Sequence, residues 1–105
     1  GGNFEKSDFT SSNLTRVNFT GATLIEANFQ NSNLIEANFT SSNITNANFE
    51  ETDLMWANLK GADLENTRFD GAYLQGANLK DTRIKLAQIK FAFIDEDTQL
   101  PDDLR

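Results

Sequence analysis

The sequence has no Cys and no His, a single Pro, and one each of Met, Trp and Tyr. Without Cys there is no disulfide framework, thiol nucleophile or thiolate metal site. Without His the commonest general base and metal ligand are gone. Long apolar runs are missing as well: none approaches the ~20 residues of a membrane span. No basic stretch leads into an apolar one, as a secretory signal requires, so a cytoplasmic location is the default expectation. Positive charge is scarce, with 9 Lys and Arg against 16 Asp and Glu and a net charge of −7, which argues against direct nucleic-acid binding. What remains is a chain of 105 residues, 38% hydrophobic, enough for one domain with a modest core.

A five-residue repeat organises that chain. Stepping by five from Phe4 gives Phe9, Leu14, Phe19, Leu24, Phe29, Leu34, Phe39, Ile44, Phe49, Leu54, Leu59, Leu64, Phe69, Leu74, Leu79, Ile84, Ile89 and Ile94. Every one is Phe, Leu or Ile. Two places earlier sits a small residue, Ala in ten cases, with Val17 the one exception among Gly, Ala, Ser and Thr. One place earlier, Asn or Asp fills 13 of the 19 positions.

Neither regular backbone can use this period. On an α-helix, steps of five rotate by about 140° and scatter the large residues around the axis. On a continuous strand an odd step sends successive large residues to opposite faces. The small and large residues are two apart, however, so a strand of three residues aims both inward. Two more residues then turn a corner, and the chain winds into a solenoid. The near-alternation of Phe and Leu sets the number of sides. With twenty residues per coil, one column reads Phe9, Phe29, Phe49, Phe69, Ile89 and the next Leu14, Leu34, Leu54, Leu74, Ile94. The others read Phe19, Phe39, Leu59, Leu79 and Phe4, Leu24, Ile44, Leu64, Ile84. Fifteen residues would mix Phe and Leu in every column. Four sides and about 4.75 coils follow, a rod on the order of 23 Å long at ~4.8 Å per coil.

Blocks such as Ala27-Asn28-Phe29-Gln30-Asn31 and Ala62-Asp63-Leu64-Glu65-Asn66 resemble the pentapeptide-repeat family, whose pattern is small, Asn/Asp, Leu/Phe and two variable residues. The resemblance implies an all-β fold, a right-handed parallel quadrilateral β-helix with the central and small residues inside. The pattern weakens late in the chain, where the Asn/Asp slot holds Arg68, Tyr73, Arg83, Gln88 and Phe93 and corner hydrogen bonds are expected to be missing or replaced. The solenoid is assigned to residues 1–96 and a capping segment to 97–105. Leu100 and Leu104 are expected to cover Ile89 and Ile94, with a helical turn at Pro101. The repeat already runs at Phe4, so the N-terminal end reads as open and as a candidate for self-association.

Chemistry has few candidates. The carboxylates Glu50, Glu51 and Asp53, and Asp63 with Glu65, read as solvated corner charges rather than acid/base pairs. Asp95–Asp97 starts like a calcium loop but has Leu100 where Gly is needed and no closing Glu. The Asn-x-Thr triplets at 13, 18, 38 and 43 are products of the repeat. The Asn residues themselves are expected to bond nearby backbone and to tolerate corner dihedrals. No catalytic residue, cofactor or metal is expected.

Two functional classes remain. Outward slots beside the Leu14 column hold Ile35, Met55, Trp56 and Tyr73, a candidate protein-contact patch because aromatics anchor interfaces. Ile25, Leu86 and Phe91 fall in outward slots on other sides and read as isolated or covered by the cap. The leading expectation is therefore a non-enzymatic structural or protein-interaction module with an unidentified protein partner, of bacterial origin by resemblance. The alternative is a DNA mimic that binds DNA gyrase or another DNA-binding protein, as some members of the family do. Charge weighs against it: more than half of the net negative charge lies in residues 95–105, and Lys80, Arg83, Lys85 and Lys90 make the last coil basic.

Overall fold

A computed structural model describes residues 1–104. Each coil has four sides of five residues, and one residue per side bridges in parallel to the residue twenty places on. The series runs Asn3 to Thr23, Asp8 to Asn28, Asn13 to Asn33, and onward through Asn58 to Asn78. Sides this short never form an extended strand; each rung is held by three repeated bonds. On one side Ile44 N donates to Asp63 O (2.8 Å), Asn46 N to Glu65 O (2.9 Å), and Asp63 N to Ser42 O (2.9 Å).

The corners explain the sequence pattern. The residue three after each turn start closes a β-turn, as Ser7 N does on Phe4 O and Ala27 N on Leu24 O, both at 3.0 Å. The third residue of each turn has positive φ, from Lys6 and Ser11 through Trp56 to Asp81, as a type II turn demands. Each of the 13 Asn or Asp residues in the slot accepts a bond from the backbone N–H two places on, for example Thr40 N to Asn38 Oδ1 (2.9 Å) and Glu50 N to Asn48 Oδ1 (2.8 Å). Thr10 adds its hydroxyl to the Asp8 carboxylate, and these two bonds, backbone first, hold the Asp8 pKa below the ordinary aspartate value.

The tube is solid. Phe29, Phe39, Phe49, Phe69, Leu34, Leu54 and Leu74 are fully buried, as are Ala27, Ala37 and Ala47. The Phe column stacks as expected: ring centroids lie 4.9 Å apart for Phe9–Phe29, 4.7 Å for Phe29–Phe49 and 5.6 Å for Phe49–Phe69. The adjoining Phe19 and Phe39 rings meet this stack edge-on. Small slots filled by Ser or Thr satisfy their hydroxyls on backbone carbonyls, such as Ser42 on Phe39 O, Thr52 on Phe49 O and Thr67 on Ile44 O.

The last coil departs from the repeat. Neither Asp63–Arg83 nor Arg68–Gln88 pairs among the described residues. A one-turn helix, α1 (Leu86–Ile89), stands there instead. Gln88 pins it, its Nε2 donating to Leu64 O (2.9 Å) and Thr67 O (3.1 Å) while its Oε1 accepts Lys85 N (2.9 Å). Gly71 N donates to Phe91 O (2.8 Å), one residue later than the regular corner bond, and register returns with the Tyr73–Phe93 bridge and Leu74 N on Phe93 O (2.7 Å).

Three expectations are corrected here. The helix lies at Leu86–Ile89, not after Pro101, where the chain makes a turn with Leu104 N on Pro101 O (3.4 Å). Leu100 does not cover Ile89 or Ile94: Gln99 bridges Asn78, one residue later than twenty, so Leu100 continues the Leu79 column. Ile94 closes its column half-exposed rather than covered.

Candidate functional site: an exposed aromatic face

The side built on Leu14, Leu34, Leu54 and Leu74 carries the predicted patch. On a buried rung the residues on either side of the core Leu point outward, and the bridges stack them coil upon coil. Met55 stands one coil beyond Ile35, tied by Glu36 N on Met55 O (3.0 Å), and both are half-buried. Trp56 occupies the following corner at φ 62 and is 58% exposed. Its indole lies against Gly76, the corner residue of the next coil, so closely that a Cβ there would sit 2.4 Å from a ring carbon. Only a glycine leaves room for it.

Tyr73 replaces the slot Asn directly over Asp53, and Phe93 replaces it again over Tyr73. The two rings stack at 5.0 Å and 14°, an arrangement worth about 0.5–1.5 kcal/mol beyond burial. They remain 43% and 50% exposed. The structure therefore places all four predicted residues on one side and its following corner. Sequence reasoning missed Phe93, whose twenty-residue spacing from Tyr73 was the available signal. It also read Phe91 as isolated or covered by the cap, whereas Phe91 is exposed at the corner preceding this side, over Gly71, with Lys90 Nζ 5.4 Å from its ring.

An open cleft of about 800 Å³ lies elsewhere, outside the tube, where residues 83–85 lift away from the coil beneath. Asp63, Glu65, Asp81, Arg83 and Lys85 line it, mixed charges with no Ser, Thr, Cys or His beside them. No group of three metal-ligating side chains occurs among the described residues. The Asp95 carboxylate, the start of the calcium-like stretch, is taken up by the N–H groups of Gly76, Asp97 and Thr98 at 3.0–3.1 Å. No helix is long and apolar enough to cross a membrane among these residues.

A square coil of five-residue sides with an Asn-bonded corner defines a class of solenoid, and the comparisons agree. A model of the pentapeptide repeat region matches residues 2–79, and the chain belongs to the pentapeptide-repeat family. Among solved structures it is similar to Rfr23, a pentapeptide repeat protein from the cyanobacterium Cyanothece 51142, at 26% identity and TM-score 0.81, covering 89% of this chain and 63% of that one. It is also similar to HetL from Nostoc sp. strain PCC 7120, involved in heterocyst differentiation regulation, at 27% identity and TM-score 0.80, covering 93% and 46%. Alr5209 from Nostoc PCC 7120 aligns at 26% identity and TM-score 0.51 over 98% of this chain and 77% of its own. The chain spans less than two thirds of the length of Rfr23 and of HetL. No curated protein sequence matches it.

Proposed function

We propose that this pentapeptide-repeat protein is a non-enzymatic interaction module that docks a protein partner on the side bearing Ile35, Met55, Trp56 and Tyr73. The observation that carries the reading is the exposure of the chain's one Trp and one Tyr on the same side, since large aromatics left in solvent favour contact. The Tyr73–Phe93 stack extends the patch toward the end of the solenoid. Residues 1–96 serve as the scaffold and the segment from 97 as the covering segment, whose last residue, Arg105, lies outside the described residues. A bacterial cytoplasm is the setting this reading assumes.

Replacing Trp56 and Met55 together by Ala removes side chains that no core contact requires. The folded variant is expected to lose partners that the unaltered protein captures from native lysate; retention of every partner would remove the patch. Mimicry of DNA toward gyrase is less favoured, because long anionic rows are broken by Arg16, Lys60, Arg68 and Lys80. A supercoiling assay unaffected at micromolar protein excludes it.

A further inference from the structure

Resting on the docking reading above, the geometry points to the kind of partner: an extended, arginine-rich protein segment whose guanidinium groups stack on Tyr73 and Trp56, with one of them pairing to Asp53 one coil beneath Tyr73. The stacking of the coils makes the juxtaposition. Asp53 bridges Tyr73 directly, and Glu36, already held by Arg16, stands one coil before Trp56 in the same corner column, joined through Glu36 N on Met55 O. Glu51 lies under Gly71 and so beneath Phe91 in the corner that precedes the face. Each exposed ring thus has an acid below it in its column, about 4.8 Å to 10 Å away at one or two coil spacings. Asp53 gives one oxygen to Met55 N at 3.2 Å and has no cationic partner among the described residues.

The face already holds two cations of its own in the two modes required. Arg16 Nε lies 3.1 Å from Glu36 Oε1 across a twenty-residue step, showing that the corner column grips a guanidinium. Lys90 Nζ lies over the Phe91 ring at 5.4 Å, showing that the exposed rings accept a cation. Arginine suits both at once, because its plane stacks on an aromatic face while its edge pairs with a carboxylate. A net charge of −7 draws such a segment in and repels acidic ones.

Trp56 is the only Trp, so its fluorescence reports binding directly. The full chain is titrated with acetylated seven-residue peptides alternating glycine with arginine, lysine, glutamate or leucine. The arginine peptide is expected to change Trp56 emission and to bind tighter than the lysine peptide, with no response to glutamate. Asp53→Asn and Tyr73→Ala are each expected to weaken it about five- to tenfold, the range of one charge-assisted or cation–ring contact. Asp63→Asn, the same charge change on another side, is expected to stay within about twofold. Equal losses for Asp53→Asn and Asp63→Asn would mean attraction by net charge alone and overturn the inference. So would an arginine peptide that leaves Trp56 emission unchanged. A leucine peptide that binds tighter than the arginine one overturns it too, while leaving the docking face itself standing.

Discussion

At each regular corner, from Lys6 to Asp81, one residue holds a positive φ, and only four of these residues are glycines. A side chain in that region costs about 1–2 kcal/mol. The Asn or Asp two places before the turn's second residue offsets part of it, through a bond to the N–H that follows the core residue. Most corners therefore tolerate Glu, Ser or Asn without demanding glycine. Gly76 is different, because two requirements meet there: φ is 73 and the Trp56 indole occupies the place of a Cβ. Gly76→Ala is expected to cost about 1–2 kcal/mol in denaturant unfolding from the backbone alone. It should also shift Trp56 emission, as the exposed indole swings aside. An unchanged spectrum together with unchanged stability would mean that the indole does not rest on that corner.

The elements divide into those that the sequence prescribes and one that it conceals. Columns, coil size and corner bonds are legible because each depends on a residue type at a fixed place in a five-residue count. Asn13, Asn33 and Asp53 predict their own hydrogen bonds. The lifted segment is hidden because the apolar count continues straight through it: Ile84 and Ile89 are buried on schedule. Ala87 gives the break away only in the structure, exposed in a slot that elsewhere points inward. Arg83 and Gln88 in the Asn slot were the sequence's signal, but a failed slot does not say what replaces it. Tyr73 fails the slot in the same way and keeps the rung. What decides is Gln88, whose side-chain amide takes the carbonyls of Leu64 and Thr67. Gln88→Ala removes three bonds, each worth about 0.5–1.5 kcal/mol net. Amide exchange in residues 83–92 is expected to quicken about tenfold or more, with rates at Leu24 through Leu59 unchanged. Equal quickening along the whole chain would show that α1 is not a local unit.

Stacked coils make the molecule nearly one-dimensional, since each coil touches only the coil before and the coil after. The 30 × 21 × 21 Å shape carries the Phe column along its length, and the environment of a ring depends on its place in that column. Phe49 is fully buried between Phe29 and Phe69, with Phe39 against its edge at 5.4 Å. Phe9 stacks at 4.9 Å on Phe29 from one side only and is partly exposed. Truncation at Phe49 opens a cavity that stiff neighbours on both sides cannot close, so Phe49→Ala is expected to cost about 3–5 kcal/mol. Because the middle coil supports both halves, that loss should appear as a lowered midpoint for the entire chain. Phe9→Ala loses mainly transfer energy, about 1–2 kcal/mol for a half-buried ring, and its effect should stay in the first coil. Hydrogen exchange separates the two: Phe9→Ala should speed the amides of Phe4, Phe9 and Leu14 while sparing Leu54 and Leu59, whereas Phe49→Ala should speed all of them. Equal global losses from both would mean that stability is shared across the whole rod rather than passed from coil to coil.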